Sequence, residues 1–411
     1  MDNQIDAPAP VRNCPVSTPS AADFDHHRPE MAANPYSVYE ALRTQCPVAW
    51  SNNYGGFWVL TDYDTVKLAA SNDDVFGSAP STSIPPINEA GRLIPIDYDA
   101  PLARQYRKIL LPFFSQSKAE AYAPQVRTIA NELIDSFIGR GECDFVNEYA
   151  IPIPAILTKA MLGLSEHWSW YVDRVHAAID APNEPDRAHQ ANMELAESIA
   201  AEVNDRRTNG MRDDLISRIA SGTVDGRALT DQEAISYTIL MIIAGLDTTA
   251  GAMANALVVL DQNRDLIKRL IDEPADIPAA VEEFLRFDAT IPAVARTLSQ
   301  DTVLAGQKIS AGERVLVVLA SANRDPKQFD QPDAIDIDRP SNKHLSFAAG
   351  LHRCLGTYLA RMMLRVGIAA FLDRVPEFRV VEEPSQLRMP DIGIVYALQS
   401  LPVRFAQTSH V

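Results

Sequence analysis

One cysteine of the chain, Cys354, stands in the stretch FAAGLHRCLG, Phe347 to Gly356, with His352 two residues before it and Arg353 beside it. Three chemistries suit it. A lone thiol is commonly a buried packing group. Zinc could take His344, His352 and Cys354, but no CxxC or HxxxH pair stands nearby to complete four ligands. The third is a thiolate ligand to a large flat cofactor. The following residues, LGTYLARMMLRVGIAAFL, have helical apolar spacing, which places Cys354 at a helix N-terminus. Free backbone N–H groups and the positive helix end lower a thiol's pKa there and favour the thiolate. Gly350 permits a sharp turn ahead of the cysteine, and Gly356 leaves the backbone open to close approach behind it. Phe347 can pack over the sulfur.

Asp247 and Thr248 form a second constellation. An acid beside an alcohol can hand on protons. The plainer reading is a self-satisfied helix kink, with the hydroxyl bonded back to a preceding carbonyl. The pair lies inside ILMIIAGLDTTAGAMANALVVL, Ile239–Leu260, a stretch as long as a membrane span. An aspartate at mid-span costs roughly 2.5–3.5 kcal/mol on insertion scales. Just upstream, TDQE lets Thr230 and Glu233 form a capping box, the usual start of a helix in a soluble protein. The expectation is one long helix, apolar all round, buried through the centre of a large domain. Glu283 and Arg286 share a helical face at i, i+3 and should pair.

The elements that must position these residues are mostly helical. PYSVYEALRTQ reads as helix, CPVAWSNNYGGFWVLTDY as a hairpin with a glycine turn, and SAPSTSIPPINEAGRLIPIDYDAP as a long loop, a lid or binding loop by its length. From Leu102 to Leu285 helical patterns follow one another, and strand-like runs return at DTVLAGQKISAGERVLVVLAS, EFRVVEE and IVYALQSLPVRF. The predicted fold is mainly α with small β-sheets. It comprises one large domain over residues 26–411 behind a Pro/Ala/Asp-rich tail of residues 1–25, expected to be poorly ordered. Of the 411 residues, 46% are apolar and 22% charged, enough for a sizeable core. The net charge of −17 argues against nucleic acid as a partner. Four scattered cysteines fit a reducing compartment, and the N-terminus shows no signal or anchor, so a cytoplasmic protein without a membrane is expected.

FAAGLHRCLG resembles the haem-binding loop of the cytochrome P450 family. AGLDTT, Ala244–Thr249, is similar to that family's oxygen-activation motif, EEFLR contains its Glu-x-x-Arg as Glu283 and Arg286, and ANRDPKQFDQPDAIDIDRP resembles the segment before the haem loop. The resemblance spans nearly everything after the tail and lies nearest the soluble bacterial, ferredoxin-dependent branch. It implies haem b with Cys354 as axial thiolate, which pushes electron density onto the iron. It implies cationic contacts to the haem propionates from His352, Arg296 and Arg107, with Ala103 standing where many relatives have a further histidine. It makes Asp247 and Thr248 the proton path for dioxygen activation, with Gly245 widening the oxygen groove. Glu283 and Arg286 then form a structural ion pair without a catalytic role.

No flavin or iron–sulfur segment is recognisable, so electrons must come from another protein. Two acid-free basic stretches stand out in this acidic chain: Arg104, Arg107, Lys108 and Lys118, then Arg339, Lys343, Arg353, Arg361 and Arg365. They suggest a patch steering an acidic ferredoxin, itself supplied by a reductase. Family-matched pocket positions are Leu240, Ile243, Ala244, Ile291, Val294, Ile394 and Val395, all apolar, which suits a small hydrophobic, aromatic or terpenoid-like substrate. The hydroxyls of Ser81 and Ser83 would serve an acidic one. The reading is a monooxygenase that hydroxylates such a molecule with O2. The alternatives are a haem-thiolate peroxygenase, an epoxidising or C–C coupling enzyme, or a haem sensor or carrier without turnover.

Overall fold

The apolar stretch around Asp247 folds into one helix of 32 residues, Asp231–Gln262, in a computed structural model that describes residues 23–86, 92–179, 184–389, 391 and 393–406. Its start is the expected capping box: Glu233 N–H donates to Thr230 Oγ1, and the Glu233 carboxylate accepts the Thr230 N–H at 2.8 Å. Among the described residues this is the one helix long and apolar enough to cross a membrane, but 78% of its most apolar window is buried inside the chain. The helices Pro152–Leu162, Pro185–Asn209, Ile277–Phe287 and Thr357–Arg374 pack around it. A helix apolar on every face is stable in water only when surrounded in this way.

The fold is mainly α with small sheets. The largest sheet has five strands in the order Val48–Ser51, Phe57–Leu60, Arg314–Val317, Val294–Leu298, Phe76–Gly77. The first two make the expected hairpin, pairing Val48 with Leu60 and Ser51 with Phe57. Strand Val294–Leu298 was not anticipated. It lies antiparallel to Arg314–Val317, with Arg296 opposite Val315, and so holds the arginine at a fixed register. A second sheet joins Phe378–Val380, Pro402–Phe405 and Glu142–Asp144. Of IVYALQSLPVRF only the end is strand. Ile394–Leu401 runs as irregular backbone with one bridge, Leu398 to Arg388.

The long loop over Ser78–Pro101 is organised by two carboxylates. Asp97, buried, accepts from the Thr82 N–H at 2.9 Å and the Leu93 N–H at 2.8 Å, and Asp99 accepts from the Ser78 N–H at 2.5 Å. Residues 87–91 of that loop, and residues 1–22 of the expected tail, lie outside the described residues. Phe24, at the tail's end, is buried, and its carbonyl accepts from Ser51 Oγ at 2.6 Å. Not all cysteines are free thiols, contrary to expectation: Cys46 is disulfide-bonded, while Cys143 and Cys354 are free.

Candidate active site

The loop before helix Thr357–Arg374 presents Cys354 on a rigid turn. Gly350 has φ +67°, and a Cβ there would come within 2.9 Å of the Ala70 carbonyl oxygen and the Ser71 Cα. Both the left-handed backbone and the close approach require glycine. The Leu351 N–H donates to Asp73 Oδ2 at 3.0 Å, the Cys354 N–H donates to the Phe347 carbonyl at 2.9 Å, and Thr357 Oγ1 donates to the Cys354 carbonyl at 2.7 Å. The guanidinium of Arg361 lies over the Phe347 ring, 4.6 Å from its centre. Cys354 is exposed as a residue, although its thiol lies deep in the chain. Burial pushes its pKa up, against the Gly356 N–H, the Arg107 charge and the Thr357 hydroxyl, which pull it down. The lowered thiol pKa expected from the helix end is therefore corrected. Desolvation outweighs those donors, and it takes a coordinating cation to deprotonate the thiol outright.

Around this thiol stand three basic side chains; Asp73 acts on both arginines, and Asp99 on Arg296, only through space. Arg296 is 2% exposed and donates only to the carbonyl of its neighbour Ala295, at 2.8 Å. Burial pushes its pKa down to about 10. Arg107 Nη2 donates to the Arg353 carbonyl at 2.7 Å, and burial lowers it as well. The His352 Nδ1 is buried with no hydrogen-bond partner. Burial, then the charges of Arg296 and Arg107, take that imidazole down to about 3. None of the three has an ion pair among the described residues, although buried cations such as the two guanidiniums are normally paired. A ligand with two carboxylates beside a flat iron-binding ring would supply the missing partners. The residues fit the haem that the resemblance implies. Ala103 is fully buried and contributes no polar group.

The central helix carries the second group of site residues. In its otherwise buried middle, Ala244 is exposed, with Met241, Gly245 and Thr248 half-buried. Thr248 Oγ1 donates to the Ala244 carbonyl at 2.9 Å, the back-bonded geometry. Gly245 does not open the groove as expected. A Cβ there would meet Thr158 Oγ1 at 2.7 Å, so its missing side chain serves the crossing with helix Pro152–Leu162. Asp247 is buried, and its Oδ1 lies 2.8 Å from His176 Nε2 on helix Trp168–Ile179. That histidine was not anticipated, since nothing local marks a residue 71 positions upstream. Among the pocket positions, Ile243, Ile291, Val294, Ile394 and Val395 are half-buried, and Leu240 is buried. Thr290, beside them, has a buried Oγ1 without a partner.

Glu283 and Arg286 are both 0% exposed and pair through two bonds of 2.8 Å. The network is larger than expected. Arg339 Nε and Asn342 Nδ2 each donate to the Glu283 carboxylate at 3.0 Å, and Arg286 reaches the carbonyls of Asn323, Pro332 and Ala334. This removes Arg339 from the anticipated basic patch. Arg361 is likewise bound to Glu282, Arg365 to Glu120, and Arg107 turns inward. Arg104, Lys108, Lys118, Lys343 and Arg353 stay exposed and free of ion pairs among the described residues.

A sequence model of the family described as Cytochrome P450 matches residues 163–404. The chain is 31% identical to Cytochrome P450-SU2 of Streptomyces griseolus, covering 89% of this chain and 92% of that one. It is also 31% identical to a Steroid C26-monooxygenase of Mycobacterium tuberculosis, covering 90% and 93%. The crystal structure of CYP108D1 from Novosphingobium aromaticivorans superposes with a TM-score of 0.84 at 30% identity, over 94% of this chain and 98% of that one. The unpaired cations about an open thiol thus have their explanation. The chain belongs to the cytochrome P450 family, and it is a P450 monooxygenase whose cofactor is a haem with a cysteine thiolate as axial ligand.

Proposed function

We propose that Cys354 is the axial thiolate and that Arg107, Arg296 and His352 hold the haem propionates. The observation that carries this is the set of three basic groups, without ion pairs among the described residues, around an exposed thiol. Bound there, the haem supplies dioxygen binding and the electron push that favours O–O cleavage. The chain's own residues do the rest. The apolar positions Leu240, Ile243, Ala244, Ile291, Val294, Ile394 and Val395 bind the substrate and exclude water. Thr248 holds a proton at Oγ1 on the cavity wall, and Asp247 is the neighbouring acid that replaces it.

The substrate is a small hydrophobic molecule, aromatic or terpenoid-like, that becomes hydroxylated. Its support is the absence of charge at the pocket positions, together with a relative that bears the name Steroid C26-monooxygenase. Electrons come from a separate acidic ferredoxin with its reductase. That is supported by Arg104, Lys108, Lys118, Lys343 and Arg353, exposed in a chain of net charge −17. The test is spectroscopic and then kinetic. The reduced protein with carbon monoxide should give the red-shifted Soret band of a thiolate haem, and Cys354→His should lose that band and the turnover. Product formed with an electron-transfer pair, and not with peroxide alone, separates the monooxygenase from a peroxygenase. A normal band in Cys354→His removes the assignment.

A further inference from the structure

Asp247 and Thr248 are adjacent in sequence, yet their side chains serve different neighbours. The Thr248 hydroxyl donates along the helix to Ala244, whereas the Asp247 carboxylate turns to His176 on another helix. The two partners differ in access to water. The Asp247 side chain is 9% exposed and that of His176 is 35% exposed. The imidazole therefore spans the step between solvent and a buried acid that has no other side-chain partner among the described residues. Histidine is the side chain whose charge ordinarily changes near neutral pH. An arginine or lysine at this place would hold the acid without ever releasing a proton to it.

We propose that His176 is the positioning residue that reloads Asp247 with protons from solvent during turnover. The inference rests on the monooxygenase reading only for where the proton goes next. The imidazolium gives its Nε2 proton to Asp247 Oδ1, so one N–H bond breaks and one O–H bond forms, and the ion pair becomes neutral. Asp247 then passes that proton into the cavity beside Thr248 and is a carboxylate again. The ring, left neutral with its proton on Nδ1, turns to solvent, takes up one proton on the empty nitrogen and returns. One proton enters for each one delivered, and no electron moves.

The electrostatics of the ring agree with this role. Burial lowers the His176 pKa, but the hydrogen bond to Asp247, the charge of Asp247 and that of Asp173 raise it further, for a net upward shift. Asp173 lies three residues back on the same helix, and Asp247 comes from the central helix. No charged group of helices Pro152–Leu162 or Pro185–Asn209 acts on the ring among the described residues. A raised pKa keeps the ring charged to higher pH than an ordinary histidine, and that charge is lost as pH rises through the raised value. Above it the ring has no second proton to give.

The experiment uses the haem-loaded protein, reduced and bound to carbon monoxide so that it is diamagnetic, with isotopically labelled histidine. The His176 ring signals should titrate above 6.5, and the midpoint should fall in Asp247→Asn. Coupled turnover of a substrate found by spectral screening should fall as pH rises through that midpoint. His176→Gln, which can still donate one hydrogen bond, should lose this pH limb and turn over roughly tenfold to hundredfold more slowly. His176→Lys separates the two explanations. It keeps a cation on Asp247, so a purely structural pair would be restored, whereas reloading would not. Overturning results are an unshifted His176 titration, or Gln and Lys variants with the parent's pH profile and rate. Failure of the haem-thiolate reading would appear earlier and separately, as a missing red-shifted Soret band.

Discussion

Replacing Arg296 by leucine should move the haem-free chain and the haem-loaded enzyme in opposite directions. The side chain is 2% exposed, its one hydrogen bond goes to the Ala295 carbonyl, and it has no ion pair among the described residues. Burial takes its pKa from the ordinary 12.5 to about 10. At 1.36 kcal/mol per pH unit, the charged form carries about 3 kcal/mol of unrelieved desolvation in the haem-free fold. Losing the bond to Ala295 gives back roughly 1 kcal/mol. Arg296→Leu should therefore stabilise the haem-free chain by about 2 kcal/mol, seen as a higher urea midpoint. With haem bound, the same change removes a hydrogen bond between charged groups worth roughly 1.5–3 kcal/mol. Haem transfer to an acceptor such as apomyoglobin should then be faster by about tenfold to hundredfold. If the variant destabilises the haem-free chain and loses haem at the parent's rate, Arg296 is an ordinary structural group and the cradle lies elsewhere.

Glu283→Ala should cost about 3–5 kcal/mol in a urea titration, because it strands the fully buried Arg286 charge without its carboxylate; a loss under 1 kcal/mol would contradict the buried-network account. Replacing Lys343 or Arg104 by alanine should slow reduction by an acidic ferredoxin while leaving substrate affinity unchanged, and the difference should shrink above about 0.1 M salt, where exposed charges beyond about 10 Å are screened. Arg361→Ala should have no such salt-dependent effect, since its charge is already taken by Glu282.

Features defined by neighbours in sequence were legible before the fold was known. The capping box spans four residues, the apolar character of Asp231–Gln262 shows along the chain, and the Gly350 turn lies within the loop that carries Cys354. Each follows from local backbone chemistry, as does the Glu283–Arg286 pair at one helical turn. What tertiary structure alone decided were partners far apart in the chain. Arg339 looked free because no acid follows it in sequence as far as Leu372, yet Glu283, 56 positions away, holds it. Gly245 seemed to face the cavity, but the side on which a helix residue lies depends on what packs there, and Thr158 packs there. The Cys354 thiol sits at a helix end as its spacing implied, but the balance between helix-end donors and desolvation depends on depth in the fold. His176 meets Asp247 because two helices cross, and no spacing rule reaches across 71 residues. Local propensity and periodicity are written residue by residue, whereas burial and long-range pairing are properties of the packed chain and exist only once it has folded.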